Sequence, residues 1–115
     1  MMNRNEECDE LMGFFSEDAV YENVPIDPPN RGSEAIRKTL EQFSGMATQI
    51  EFVVHHQMAA DGVVMNERTD RFEVGGQWLE IRVMGVFEIQ AGKIKAWRDY
   101  FDLAQLMQQM PGQDG

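Results

Sequence analysis

Two short segments of this sequence carry charged residues at the positions where a strand would carry apolar ones. In Asn66-Glu67-Arg68-Thr69-Asp70-Arg71-Phe72, the two-residue period of an extended chain puts Arg68, Asp70 and Phe72 on one face. In Ala96-Trp97-Arg98-Asp99-Tyr100-Phe101, the same period groups Trp97, Asp99 and Phe101. Each carboxylate is therefore flanked by aromatics. If these faces point inward, Asp70 and Asp99 are buried acids, and Arg68 is the cation that the spacing places to serve them, since unpaired burial of a charge is costly. The same parity also fits a structural ion pair between two strands, or charges that simply face solvent.

The inward arrangement has a chemical consequence. Two carboxylates about 4 Å apart at an effective dielectric of about 20 repel by ~4 kcal/mol, roughly three pK units. One of them then holds a proton, and the pair divides into an acid and a base at neutral pH. Hydrolysis of a neutral ether needs that division: one group deprotonates water while the other protonates the departing oxygen. Tyr21 and Asn23 share parity on another extended stretch and offer a phenol and an amide able to hold a water molecule, or else the hydrogen bonds of an edge strand.

Other chemistries find little in the residues. His55 and His56 are neighbours on a strand, so their side chains are expected on opposite faces, unable to chelate one ion together. The lone cysteine, Cys8, leaves no thiolate cluster for a metal and no internal disulfide, which fits a reducing, cytoplasmic setting. Nucleophile-elbow, P-loop and dinucleotide-binding patterns are absent, so no cofactor and no metal is expected. With Lys+Arg 10 against Asp+Glu 20 and a formal net charge of -10, a nucleic-acid backbone or an anionic membrane would be repelled. No apolar run approaches the roughly 18 residues that span a bilayer, and Met1 to Glu10 is too charged for a signal peptide.

The elements that would position these residues can be read from periodicity. Cys8, Leu11, Met12 and Phe15 fall at i, i+3, i+4 and i+7, predicting an amphipathic helix over about 5–16. Asp18 to Val24 reads as a short extended segment stopped by Pro25, Pro28 and Pro29, and Asp27 to Gly32 as a loop. Ser33 is a plausible N-cap for a helix over 33–44, with Ile36, Leu40 and Phe43 on its apolar face and Gly45 as its stop. Four strand-like runs follow, about 49–59, 63–74, 77–90 and 93–101. Asp61-Gly62, Gly75-Gly76 and Ala91-Gly92 separate them as tight turns, which predicts an antiparallel meander. Leu103 to Met110 closes the chain as a helix ended by Pro111 and Gly112. In the third run Leu79, Ile81, Val83, Phe87 and Ile89 take one face, while Trp78, Met84 and Val86 share the other with Glu80, Arg82 and Glu88. Two partly apolar faces on a long strand suggest a homodimer through the sheet. A length of 115 residues with 43% hydrophobic content fits one α+β domain, its helices lying in the palm of a bent sheet around a conical pocket.

The order Tyr21-Glu-Asn23-Val-Pro25, Glu67-Arg68-Thr-Asp70, Gly85-Val-Phe87, Gly92-Lys-Ile94 and Trp97-Arg-Asp99-Tyr-Phe101-Asp102 resembles the limonene-1,2-epoxide hydrolase family over residues 11–103. The resemblance implies a cone-shaped fold like that of nuclear transport factor 2 (NTF2) and of SnoaL-like proteins: a curved, mostly antiparallel sheet with helices on its concave face, usually dimeric. It also implies one-step hydrolysis of a hydrophobic epoxide to a vicinal diol. Carried onto this chain, Asp99 would be the general base, Tyr21 and Asn23 would hold the attacking water, Asp70 would be the general acid, and Arg68 would bridge the two aspartates. Phe43, Phe52, Phe72, Ile81, Val83 and Phe101 would line the substrate pocket, with Trp97 stacking on substrate or packing. Family members begin with a further helix ahead of the one at 5–16, for which this chain has no room; the expectation is a domain over 1–115 lacking that helix, with a more open wall. Two other readings stand beside this one. A ketosteroid-isomerase-like or polyketide-cyclase-like enzyme would use an aspartate to move a proton beside a carbonyl, although an arginine shared by two acids suits it poorly. A non-catalytic small-molecule binding module would use the three charges as a structural network only.

Overall fold

The structure is a computed structural model that describes residues 9–26 and 28–109. Residues 9–12 are helical and are followed by strand β1 (Phe15–Val24), the two-residue β2 (Asn30–Arg31), helix α1 (Ser33–Met46) and four long strands. These are β3 (Gln49–Ala60), β4 (Val63–Val74), β5 (Gln77–Gln90) and β6 (Lys93–Tyr100), and helix α2 (Leu103–Gln109) follows them. All six strands form one sheet in the order β2-β1-β6-β5-β4-β3.

The meander expected from the turn signals is present. Asp61-Gly62, Gly75-Gly76 and Ala91-Gly92 all have positive φ, the backbone state that two-residue hairpins need to match the right-handed strand twist. These turns set β3–β4, β4–β5 and β5–β6 antiparallel. β1 pairs with β6 in parallel, bringing Tyr21 opposite Trp97 and Asn23 opposite Asp99.

The concave face carries the packed side chains. On β4 and β5 burial alternates strictly over Asn66–Phe72 and Leu79–Gly85, the signature of a sheet covered on one side. α1 buries Ile36 completely against Phe15, Ala19 and Tyr21 of β1, with Leu40 and Trp97 packed around them. Covering a side chain of that size contributes about 2–3 kcal/mol. A second cluster joins Ala47, Phe72 and Leu79 to Phe43 of α1 and Leu106 of α2. The helices thus close two ends of the concavity and leave its middle open above β4, β5 and β6.

Several boundaries differ from the sequence reading. The first helix stops at residue 12, and Phe15 begins a strand. Phe15 sits at a position that suits a helical i+7 and a strand's inner face equally, and the parallel pairing of β1 with β6 decides for the strand. The N-cap of α1 is Gly32 at φ 87, with no side-chain cap, and Ser33 is its first helical residue. Gly45 lies inside the last turn, and the helix stops at Ala47, where the backbone becomes extended. The expected loop contains β2, which pairs with Val20 and Tyr21. His55 and His56 do not diverge: the register of β3 against β4 shifts between Val54 and His56, and both imidazoles sit on the outer face, on Thr69 and Glu67 respectively. Among the described residues no group of three or more His, Cys, Asp or Glu could hold a metal ion, and no helix is long and apolar enough to cross a membrane. The expected start of the first helix with Cys8, the loop residue Asp27, and the final turn with Met110, Pro111 and Gly112 lie outside the described residues.

Candidate active site

β4 supplies three polar side chains to the inner face, because Asn66, Arg68 and Asp70 share the parity of the buried Phe72. Arg68 is 4% exposed, Asp70 9% and Asp99 5%, so all three charges are nearly removed from water. They satisfy one another. Arg68 Nε donates to Asp70 Oδ1 at 2.7 Å and Nη2 to Asp70 Oδ2 at 3.0 Å, a two-point grip. The same Nη2 reaches across β5 and donates to Asp99 Oδ2 at 2.6 Å. Nη1 donates to Asn66 Oδ1 at 3.0 Å. The outward-facing alternative left open by parity does not hold. No buried side-chain polar atom among the described residues lacks a partner, as a buried charged network requires.

Asp99 has a second donor. Trp97 Nε1 donates to its Oδ1 at 2.6 Å, and the indole is held by stacking on Tyr21, Phe87 and Phe15 at ring separations of 4.3, 5.2 and 6.0 Å. Both oxygens of Asp99 are thereby oriented, and each keeps a further lone pair for a proton. Burial pushes the Asp99 carboxyl above the ordinary carboxylate range. Hydrogen bonding and charge from Arg68, and the Trp97 donor, restrain the rise, while the charge of Asp70 adds to it. Burial works against the charge of Arg68, but its bonds to Asp70 and Asp99 outweigh that, so the guanidinium is held charged more firmly than usual. The Tyr21 phenol is pushed above its ordinary range, first by burial and then by the negative charge of Asp99. It stays a neutral donor, and it donates to Asn23 Oδ1 at 3.1 Å.

These groups form the polar floor of a cavity of about 190 Å³. Tyr21, Asn23, Arg68, Asp70 and Asp99 all border it, and so do the seven expected pocket residues Phe43, Phe52, Phe72, Ile81, Val83, Trp97 and Phe101. Phe72, Ile81 and Val83 are buried wall, and Phe43 meets Phe72 edge-on at 5.0 Å. Phe52 is 56% exposed and lies over the Arg68 guanidinium, 5.8 Å from its ring centre. The mouth of the cavity therefore opens beside the edge strand β3, every residue of which is exposed. The sequence reading missed Ile26, Thr39, Leu40 and Leu106, which also border the cavity. It missed Asn66 as well, although the parity that singled out Arg68 and Asp70 includes it.

The arrangement supplies an oriented carboxylate, a second carboxyl on the same cation, a phenol–amide pair beside them, and an apolar chamber with few other polar groups. Residues 2–112 match the family described as the limonene-1,2-epoxide hydrolase catalytic domain. Epoxide hydrolase EphG of Mycobacterium tuberculosis is 37% identical over 102 residues, which make up 87% of this chain and 66% of that protein; the chain thus spans a little under two thirds of that relative's length. The solved structure of an M. tuberculosis epoxide hydrolase described as like limonene-1,2-epoxide hydrolase superposes with a TM-score of 0.78 at 33% identity, covering 91% of this chain and 77% of the other. An NTF2-like protein from Burkholderia pseudomallei shares the fold alone, with a TM-score of 0.82 at 10% identity over 94% of this chain and 88% of its own. With its match running over almost the whole sequence, the chain belongs to the limonene-1,2-epoxide hydrolase family.

Proposed function

We propose that this protein hydrolyses a hydrophobic epoxide to a vicinal diol in one step, by general acid and base catalysis and without a covalent intermediate. The observation that carries this reading is the pair of buried carboxyls on one guanidinium at the floor of an apolar chamber. Water held by Tyr21 and Asn23 gives a proton to Asp99 as its oxygen bonds to one ring carbon. The bond from that carbon to the epoxide oxygen breaks, and the oxygen takes a proton from Asp70. The diol thus keeps one hydrogen of the water on its new hydroxyl and the Asp70 proton on the other, and the enzyme is left with its single shared proton on Asp99 instead of Asp70, to be returned through solvent before the next turnover. Strain in the three-membered ring lowers the intrinsic barrier, so paired proton transfer suffices. Arg68 keeps both carboxyls in place and limits their mutual repulsion. The apolar walls suit a substrate whose only polar handle is the epoxide oxygen.

A single-turnover reaction in oxygen-18 water tests the mechanism. The first diol formed should carry the heavy isotope; a first diol without it would mean that a carboxylate attacks the ring and delivers its own oxygen. Asp99→Asn and Asp70→Asn should each lower turnover by about 10²–10⁴ with the fold intact, and substantial activity in either would remove the role assigned to that residue.

The protein acts as a homodimer through the outer face of the sheet. Support comes from Met58, Met65, Trp78, Met84 and Tyr100, large side chains exposed on that face. Light scattering should give twice the chain mass, and Met84→Asp should return a monomer; a monomeric parent protein would overturn the assembly. A cytoplasmic setting fits a chain with a single cysteine, which needs no oxidising compartment to fold.

A further inference from the structure

The geometry points to Gly85 as a positioning residue for the acid–base pair: the missing side chain at this position is the opening through which Arg68 reaches from β4 to Asp99. This inference rests on the hydrolase reading above and adds a residue to it. Gly85 lies on β5, opposite Asn66 on one side and Asp99 on the other. It is buried, and its parity is that of Leu79, Ile81 and Val83, which project inward. Arg68 pairs in register with Val83, so its guanidinium has to cross β5 to touch Asp99 on β6.

A Cβ built at position 85 would stand 2.5 Å from Arg68 Nη1, 2.7 Å from Asn66 Oδ1 and 3.0 Å from Asp99 Oδ1. All three atoms belong to the network itself, and the first two are closer than any carbon tolerates. None of them is the free end of a mobile chain. Nη1 and Oδ1 of Asn66 are bonded to each other at 3.0 Å, and Asn66 is fixed in turn by its amide, which donates to Gln57 at 3.3 Å. Asp99 Oδ1 is held by Trp97. Even a methyl group would push Arg68 back toward Asp70, lengthen its bond to Asp99 and displace the carboxyl. The backbone of Gly85 needs no glycine for its own sake: it is not among the positive-φ residues. Space is the requirement.

The test is Gly85→Ala, read by two independent measurements. Against a hydrophobic epoxide, kcat should fall about a hundredfold, as expected for reacting groups displaced by around 1 Å, while KM moves little because the chamber walls are untouched. By carbon-13 NMR the Asp99 carboxyl should titrate at higher pH than in the parent protein, since Arg68 is the group that opposes its burial. Asp70 on β4, Tyr21 on β1 and the Trp97 indole are the other groups facing it, and the substitution leaves them in place. The NMR reading needs no substrate, so it still decides the matter if the parent protein turns over no epoxide. Adding Asn66→Ala makes room for Nη1 and should recover at least tenfold of the lost kcat, a rescue that a general packing defect would not show. A folded Gly85→Ala protein with kcat within threefold of the parent, or with the Asp99 titration unmoved, overturns the inference. Should Gly85→Ala fail to fold, the triple variant Gly85→Ala, Asn66→Ala, Arg68→Ala is compared at pH 4, where the loss of the cation costs least, with the double variant Asn66→Ala, Arg68→Ala; with the colliding atoms gone the two should melt together, and a triple variant less stable than the double overturns the inference.

Discussion

Replacing Arg68 with methionine separates a charge cluster needed for its chemistry from one that is only tolerated. Methionine keeps the aliphatic bulk and deletes a guanidinium that donates four hydrogen bonds, two to Asp70 and one each to Asp99 and Asn66. Asp70 and Asp99 each rest an oxygen on the same Nη2, at 3.0 and 2.6 Å, so those oxygens are about 5 Å apart. At an effective dielectric of about 20, two negative charges at ~5 Å repel by about 3 kcal/mol, roughly two pK units. Without the cation, burial adds to that repulsion, and the carboxyl that is charged in the parent protein is driven to take up a proton as well. Breaking a buried pair by removing one partner costs about 3–5 kcal/mol. The pH dependence has a definite sign. A carboxyl whose folded pKa lies above its unfolded value near 3.9 carries no penalty below about that pH. The penalty grows as pH rises from there toward the folded pKa and is constant above it. Urea unfolding of parent and variant at pH 4, 6 and 8 should therefore show a stability gap that widens with pH. A gap under about 1 kcal/mol at pH 8, or one that is flat across the series, would refute the reasoning that Arg68 neutralises two buried acids.

Four further outcomes follow. Asp99→Asn sets an amide NH2 against either the Arg68 or the Trp97 donor, so it should cost about 1–3 kcal/mol in urea unfolding while turnover of the folded protein collapses; a folded variant that keeps its turnover would leave the network a structural one. Because burial raises the Asp99 carboxyl, the acid limb of kcat/KM against pH should lie above the ordinary range near 3.9, and a limb below it would exclude Asp99 as the base. Phe72→Ala removes a buried ring and should destabilise by about 3–5 kcal/mol, whereas Phe52→Ala, at a 56% exposed position, should change KM with little loss in urea unfolding. Ala91 holds a φ of 52° in the β5–β6 turn, a left-handed state that disfavours side chains by about 1–2 kcal/mol. After glycine's larger unfolded-state entropy is subtracted, Ala91→Gly should raise unfolding free energy by about 0.5–1 kcal/mol, and a destabilised variant would show the turn is held for another reason.

The strands were legible because two local signals agreed: paired residues able to adopt positive φ at each turn, and alternation between them. Those signals place Arg68 and Asp70 on one face and Trp97 and Asp99 on another, and closing the meander turns these into the same face. The parity rule fails wherever a residue is inserted, as at His55 and His56, because nothing local to the pair announces a bulge. It fails also at Phe15, where helix and strand periods coincide and the choice is made by β6, nearly eighty residues away. Gly85 stands in the sequence as part of the Gly85-Val-Phe87 pattern, and an absent side chain has meaning only once it is known what crosses above it. Thr39 and Leu106 reach the cavity from helices whose docking the sequence does not specify.

The fold by itself does not choose between adding water to an ether and moving a proton beside a carbonyl, since an NTF2-like protein at 10% identity superposes as well as one at 33%. The difference lies in how many protons must move together. Opening an epoxide asks for a base and an acid in one event, with the departing oxygen protonated as water attacks, so two carboxyls sharing one proton are used fully. Enolisation asks for one unencumbered carboxylate and a neutral donor for the developing oxyanion. Asp99 is not unencumbered: Arg68 and Trp97 occupy its two oxygens at 2.6 Å each, which restrains the basicity that burial gives it and aims its remaining lone pairs. The weak carbon acids of enolisation are poorly served by such a group, while a water molecule that becomes strongly acidic only as it bonds to a strained ring is well served. The guanidinium that makes burial of two acids affordable is thus the same group that narrows the chemistry available to them.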